Sequence, residues 1–164
     1  MRQLSSRDGL KRMRARARLV ELDGPAVEPL VQALRDRHEQ VRWEAAKALG
    51  ALADPRAARR LVVALEDEDF DVRWVVAEAL VAIRKPALQP LLEALIKRSH
   101  SALLREGAHH TLKGLHTQKN APVIDRLLHA LAEPDAEIAM RIAARDTLEE
   151  MRHAAARRER NLKH

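Results

Sequence analysis

The segment Val41-Arg42-Trp43 recurs unchanged 31 residues later as Val72-Arg73-Trp74. The apolar positions that follow it recur as well, since Ala45, Leu49 and Leu52 are matched by Val76, Leu80 and Ile83. Self-similarity at a period of this size is typical of stacked helical or β units. The chain has no alternating run rich in Val, Ile or Thr that would predict a strand, so the repeated unit is helical.

Four further segments share one apolar stripe with the spacing i, i+3, i+4 and i+7, which predicts amphipathic helices. The stripes are Val27, Leu30, Val31 and Leu34; Ala58, Leu61, Val62 and Leu65; Leu88, Leu91, Leu92 and Leu95; and Ile124, Leu127, Leu128 and Leu131. Each is followed by a polar turn and a second helix, predicted at about 40–52, 70–84, 101–115 and 136–157. Asp69 and Ser101 are predicted N-caps of two of these second helices.

These patterns predict an all-α fold, a right-handed α-solenoid (alpha-alpha superhelix) of helical hairpins. We expect a single domain over residues 1–164. It comprises an N-terminal half-unit at 10–22 and repeats at about 25–52, 55–84, 86–115 and 122–157. The absence of cysteine in the sequence excludes disulfides and thiolate metal sites. No apolar run is long enough to span a membrane, and we expect a cytoplasmic protein without a cleaved leader.

The net charge of +6 is unevenly distributed. Residues 1–20 carry +6 and residues 152–164 carry +4, whereas the 131 residues between them carry −4. Basic, polar ends suit the terminal caps of a repeat array. They also suit contact with an acidic partner or a nucleic acid, and we favour the capping role.

One arginine recurs at the same place in every second helix: Arg42, Arg73, Arg105 and Arg141, with Arg12 in the half-unit. Carboxylates recur in the preceding turn at Asp36, Asp67 and Glu133. We interpret the arginines as a structural ladder of Arg–carboxylate pairs between neighbouring units. The alternative is a row of anion-binding groups.

The stretch from Val41 to Gly50, VRWEAAKALG, closely resembles the short HEAT repeat, of the kind also found in phycobilisome-lyase-like proteins. The resemblance covers about residues 10–153. It implies a HEAT-type solenoid that acts as a scaffold, and it leaves the activity open because such arrays have many uses.

Two enzyme classes also resemble this array. Deoxyhypusine hydroxylase binds a di-iron centre through His-Glu pairs just after the arginine column, but no such pair stands there: the positions read Trp43-Glu44, Trp74-Val75, Glu106-Gly107 and Ile142-Ala143. HEAT-like glycosylases use aromatic and acidic groups in a basic channel, whereas the middle of this chain is acidic. Asp125 and His129 share a helix face, which we interpret as a solvated surface. We therefore favour a protein without catalytic residues, cofactor or metal, and the two enzyme classes stay as alternatives.

The resemblance further implies that the second helices line the concave face and that the two positions after each arginine point outward. We predict a protein-binding site there, with Trp43 and Trp74 side by side. Its expected residues are Trp43, Glu44, Lys47, Trp74, Val75, Glu78, Glu106 and His110. The alternative is that each indole packs against a neighbouring repeat and only stiffens the array. A nucleic acid bound by the basic ends is the second candidate partner.

Overall fold

The computed structural model describes residues 1–162, and within this range the chain forms nine α-helices and two short 3₁₀ helices. The α-helices are α1 (Gly9–Glu21), α2 (Gly24–Ala33), α3 (Glu39–Leu52), α4 (Ala58–Ala64), α5 (Phe70–Ile83), α6 (Lys85–Lys97), α7 (Ala102–Leu115), α8 (Ala121–Ala132) and α9 (Ala136–Asn161). The 3₁₀ helices are Arg2–Ser5 and Pro55–Ala57, which precede α1 and α4. The predicted all-α fold is confirmed, and residues 163 and 164 of the predicted domain lie outside the described range.

The predicted apolar stripes form the core. Leu30, Leu61, Leu65, Leu91 and Leu95 are each fully buried. Burial of each such side chain contributes about 1.5–3 kcal/mol relative to an exposed one. Both predicted N-caps are confirmed, since Asp69 accepts from the amide of Val72 at 2.9 Å and Ser101 accepts from the amide of Leu104 at 3.3 Å.

Helices α1 to α7 stack in two layers, and successive helices alternate between the two. The second helices α1, α3, α5 and α7 pack in one row, and α4 and α6 pack in the other. Small residues allow close approach within the row: a Cβ added at Gly50 of α3 would lie 3.2 Å from the backbone of Ala79 in α5. This is the stacked hairpin arrangement that the repeat predicted.

The last hairpin does not continue these rows. Helix α9 packs against α6 and α8, while α8 packs against α7. The second helix of the fourth unit thus occupies the place beside α6 that a regular unit would give to its first helix. The expectation that residues of α9 extend the surface of α3, α5 and α7 is therefore wrong.

The junctions explain this difference. Each regular unit begins at a non-glycine residue with positive φ, where the chain reverses its direction. These residues are Asp23 (φ 55°), Ala53 (φ 50°) and Arg84 (φ 66°), and the helix that follows each of them contains proline in its first turn. Before α8 the chain follows a longer path, closed by Asn120, whose side chain binds Thr117 and the carbonyl of Leu115. This loop delivers α8 to the other layer.

Candidate functional site

The arginine column closes the turns that lead into the second helices. Four of its members donate to the backbone carbonyl six residues earlier: Arg12 to Ser6 (2.7 Å), Arg42 to Asp36 (3.0 Å), Arg73 to Asp67 (2.8 Å) and Arg105 to Ser99. These bonds satisfy turn carbonyls that have no helical partner. Arg141, in the displaced α9, is exposed. The main acceptors of Arg12, Arg42, Arg73 and Arg105 are therefore backbone carbonyls of the same unit, rather than the carboxylates of the predicted ladder.

The predicted Arg–carboxylate link between units exists at Arg42. Its Nε and Nη2 atoms donate to both carboxylate oxygens of Asp67, at 2.7 and 2.8 Å, and both side chains are about nine-tenths buried. The hydrogen bond to Asp67 raises the pKa of Arg42 above its ordinary value. For Arg73 and Arg105 the same prediction is wrong within the described residues, because their guanidinium groups are turned to the turn carbonyls.

Other ion pairs join neighbouring units, and sequence reasoning missed them. Glu44 accepts from Arg12 at 3.2 Å and from Arg16 at 2.5 Å. Arg98 pairs with Glu66, and Arg59 with Glu93 at 2.7 Å. Three of these pairs span 32 or 34 residues, which is close to one repeat, so they join consecutive units. The members of these pairs lie in different columns of the repeat, so a search for identical residues at equivalent positions overlooks them.

The outward surface of α3, α5 and α7, here called the second-helix surface, presents only the first of the two positions after each arginine. Trp43 is half-buried, while Trp74 and Glu106 are exposed. The next position points inward, since Glu44 is 3% and Val75 5% exposed. Successive helical residues differ in direction by about 100°, so both cannot face solvent on a helix packed on two sides. Glu44 and Val75 are therefore removed from the predicted site. The remaining predicted residues Lys47 and Glu78 are exposed, and His110 is half-buried.

Trp43 lies in a cleft of about 460 Å³ between α1, α3 and the start of α5. The guanidinium of Arg16 and the ammonium of Lys47 each lie 5.8 Å from its ring centroid, within the range of a cation–π interaction. The indole also packs on the core. These contacts are those of the alternative interpretation, in which the side chain stiffens the array.

Trp74 lies in a separate cleft of about 220 Å³ between α5 and α7. The residue is 52% exposed, and the centroid of its ring lies 6.3 Å from that of Phe70 and 4.1 Å from that of the His110 imidazole. Glu78 holds His110 through a contact of 2.6 Å between carboxylate and Nε2. The two indoles were predicted to lie side by side, but Trp43 and Trp74 lie in two separate clefts of different character. Phe70, 55% exposed, was not predicted for the site although it precedes Trp74 by one helical turn.

The other candidate groups are dispersed. Asp125 contacts His116 at 3.0 Å, and His129 contacts Glu133 at 2.8 Å, so the predicted i, i+4 pair is divided between two partners. Within residues 1–162, no group of three or more histidine or carboxylate side chains is arranged to hold a metal ion. None of the helices in this range is long and apolar enough to cross a membrane.

Stacked helical hairpins with these turn-closing arginines define an α-solenoid repeat protein. Residues 27–113 match the family model of HEAT repeats, and this span is just over half of the chain. The chain belongs to the HEAT-repeat family. The matched residues end within α7, just before the hairpin that leaves the regular rows. The phycobilisome-lyase-like subtype stays a prediction. Among curated proteins, none matches this sequence.

Proposed function

We propose that this HEAT-repeat scaffold is non-catalytic and binds a protein partner on the second-helix surface, which would form the concave face of the array. The partner site comprises Trp74 and Phe70, with Glu78, Glu106 and His110 around them. Trp43 and Lys47 border it in the neighbouring cleft. The single domain over residues 1–164 and the cytoplasmic location stay predictions that accompany this proposal.

The observation that carries the proposal is the exposure of two large aromatic side chains on one helical turn. Phe70 and Trp74 are each more than half exposed and their rings are adjacent. Water-exposed aromatic surface of this kind is costly, and it commonly marks an interface because Trp is enriched among residues that dominate binding energy. Trp43, whose faces are covered by Arg16 and Lys47, is secondary.

The cleft beside Trp74 is also held in shape before any partner arrives. His110 lies against the indole and is fixed by Glu78 of the previous unit. The floor includes Ala77 and Gly107, which leave room above the helices. A preformed cleft requires little ordering of side chains on binding, which favours affinity.

The lining indicates which partner chemistry would fit. Apolar contact comes from Phe70, Trp74 and Ala77, while Arg73 and Glu106 stand at the edge with opposite charges. We therefore propose a peptide segment of a protein that inserts one aliphatic or aromatic side chain against Trp74. Polar groups on either side of that anchor would meet Arg73 and Glu106.

Selection from a random peptide library displayed on phage tests this directly. We expect enriched peptides to share an apolar anchor, and we expect Trp74→Ala to weaken their binding by about tenfold or more, equivalent to about 1.4 kcal/mol. Val63→Ala is the matched control, because Val63 is 46% exposed but lies on α4 in the other row. Peptides that bind Trp74→Ala as tightly as the unmodified protein would contradict the proposal.

Folding must be excluded as the cause of lost binding. Because Trp74 is exposed, Trp74→Ala should leave the melting temperature close to its original value. Trp43→Ala should lower it, because that indole packs on the core. In a Trp43→Phe background, the remaining indole should show red-shifted emission that is readily quenched. Blue-shifted, protected emission would remove the exposed anchor on which the proposal depends.

A nucleic acid is the second candidate, favoured by the outward face of α1. Arg12 and Arg16 neutralise Glu44, whereas Lys11, Arg14 and Arg18 are exposed at helical spacing. Duplex DNA affinity that falls steeply with salt, and that is lost in the triple glutamine variant of these three residues, would support this candidate. Salt-insensitive peptide binding that requires Trp74 supports the scaffold instead.

A further inference from the structure

Helix α9 presents an apolar surface on the side opposite its core contacts. Met140, Ala144 and Leu148 face inward and are buried. On the other side, Ile138 and Ile142, which lie one turn apart near the start of α9, are 52% and 56% exposed. Paired exposed isoleucines on a charged helix indicate a contact surface.

The residues around these isoleucines form a self-complementary pattern. Asp135, Ile138, Ile142 and Arg145 follow the spacing i, i+3, i+7 and i+10. Asp135 is the N-cap residue of α9, and the other three lie within an arc of about 60° on the helix. The pattern is symmetric about residue 140, with an acidic group at one end and a basic group at the other. Asp135 and Arg145 are both exposed, and within residues 1–162 neither takes part in an ion pair. The carboxylate of Asp135 does not cap α9 either.

We propose that this face binds a second copy of the same chain, with the two α9 helices antiparallel about a twofold axis near residue 140. Ile138 then packs on Ile142 of the second copy, and Asp135 pairs with Arg145 of the second copy. The symmetry repeats both contacts, as a twofold interface requires. Charges at the two ends fix the register, because a shift or a parallel arrangement would leave them unpaired.

The groove between α8 and α9 supports this geometry. It has a volume of about 670 Å³ and runs along Ile138 and Ile142, with the small residues Ala130, Ala139 and Ala143 in its floor. Small side chains at a helix surface let a second helix approach to the usual 8–10 Å between axes. The contact is short, with about three helical turns on each side, so the dimer should be weak, with a dissociation constant in the micromolar to millimolar range.

The pairing leaves the proposed partner cleft free, because α9 lies beside α6 while the cleft lies between α5 and α7. A dimer would therefore present two clefts and bind a bivalent partner more tightly than a single copy does. The dimer itself does not depend on the proposed function, and it can be tested without a partner.

Sedimentation velocity of the full chain over a wide concentration range is the first test. We expect a reversible monomer–dimer equilibrium that Ile142→Asp abolishes. Val63→Asp, which places the same charge on an equally exposed aliphatic position of α4, should leave it unchanged. A wild-type chain that stays monomeric at all concentrations would overturn the proposal, as would dimerisation that persists in Ile142→Asp.

Charge reversal tests the register. Asp135→Arg and Arg145→Asp should each abolish self-association, since every terminal contact then joins like charges. Mixed together, the two single variants should associate with each other, because each contact across the twofold axis then joins opposite charges. The double variant should also dimerise. Thermal melts verify that each variant is folded. Failure of both the mixture and the double variant to associate, while the wild type dimerises, would overturn the antiparallel pairing.

Discussion

The array from α2 to α7 and the hairpin α8–α9 are built from the same apolar stripe, but they are placed differently. In the array, each unit adds one helix to each of two rows. In the final hairpin the rows are exchanged, so that α9 lies beside α6 and α8 lies beside α7. The comparison shows that the stripe determines that a helix forms and which side it buries, whereas the junction before the helix determines the row in which it packs.

Contacts between equivalent positions show the same difference. The arginines of α1, α3, α5 and α7 bind the carbonyl six residues earlier, but Arg141 of α9 is exposed. Helix α9 is held instead by Arg126 of α8, which binds both carboxylate oxygens of Glu150 at 2.8 and 2.9 Å and the hydroxyl of Thr147 at 3.0 Å. The final hairpin is therefore a cap with its own interactions.

The largest predicted effect is in the core of the array. Leu65→Ala removes a fully buried side chain and should lower the free energy of unfolding by about 2–5 kcal/mol. For a chain of this size that corresponds to a decrease of roughly 4–20 °C in Tm. Calorimetry measures the change, and an unaltered Tm would refute the burial of the second stripe.

The next effect concerns the close approach of α7 to the second unit. A Cβ at Gly107 would lie 2.7 Å from Cδ2 of Leu65, so Gly107→Ala should destabilise the protein by about 1–3 kcal/mol. Gly9→Ala is the control, because its added Cβ meets only the end of the Arg12 side chain, at 3.6 Å. Equal stability of the two variants in urea titrations would show that the array is packed more loosely than described.

A glycine substitution should change the stability of the protein in opposite directions at the junctions of the regular units and at the junction before the final hairpin. Arg84 has φ 66°, where a side chain is strained, so Arg84→Gly should stabilise the protein by about 1 kcal/mol. His116, before the final hairpin, has φ −63°, and His116→Gly should destabilise by roughly 0.5–1 kcal/mol, because glycine increases the freedom of the unfolded chain and removes the contact with Asp125. Denaturant melts compare the two, and destabilisation by Arg84→Gly would contradict the strained junction.

The smallest effect is the dependence of stability on pH. Hydrogen bonds from Gln89 and Arg59 lower the pKa of Glu93 below its ordinary value of 4.5. The folded pKa is depressed, so this contribution is complete above the unfolded pKa and is lost as pH falls through the folded one. Glu93→Gln should therefore reduce the slope of stability against pH below 4.5. An identical slope in both proteins would refute the pairing of Glu93 across α4 and α6.

Much of the array could be predicted from the sequence, because the periods are long and regular. The stripes of Leu61, Leu65, Leu91 and Leu95 are buried as expected, and the arginine column is visible in the sequence as one residue in each second helix. The acceptors of that column could not be predicted, since a backbone carbonyl leaves no trace in the residue types. Likewise, the exchange of rows at the last hairpin depends on the path of residues 116–120, where the pattern carries little information.

The candidate site, too, could be predicted only in part from the sequence. Trp74, Glu78, Glu106 and His110 lie around one cleft or beside it. Glu44 was misplaced because the resemblance implied that both positions after each arginine point outward. In the structure, two arginines of the preceding half-unit make its burial possible. Phe70 could not be found from the repeat pattern, because it has no aromatic equivalent in the other units.

The exchanged final hairpin limits the second-helix surface to α3, α5 and α7, and it exposes the α9 face. The sequence contains no cysteine, so spin labels can be placed at chosen pairs without altering native thiols. Gln89 and Ala155 line the groove between α6 and α9, and labels there should be about 20 Å apart or less, as on packed helices. Labels at Lys113 and Glu149, which a regular fourth unit would place on neighbouring helices, should be clearly farther apart. Measured by double electron–electron resonance, a short distance for 113–149 together with a long one for 89–155 would contradict the account.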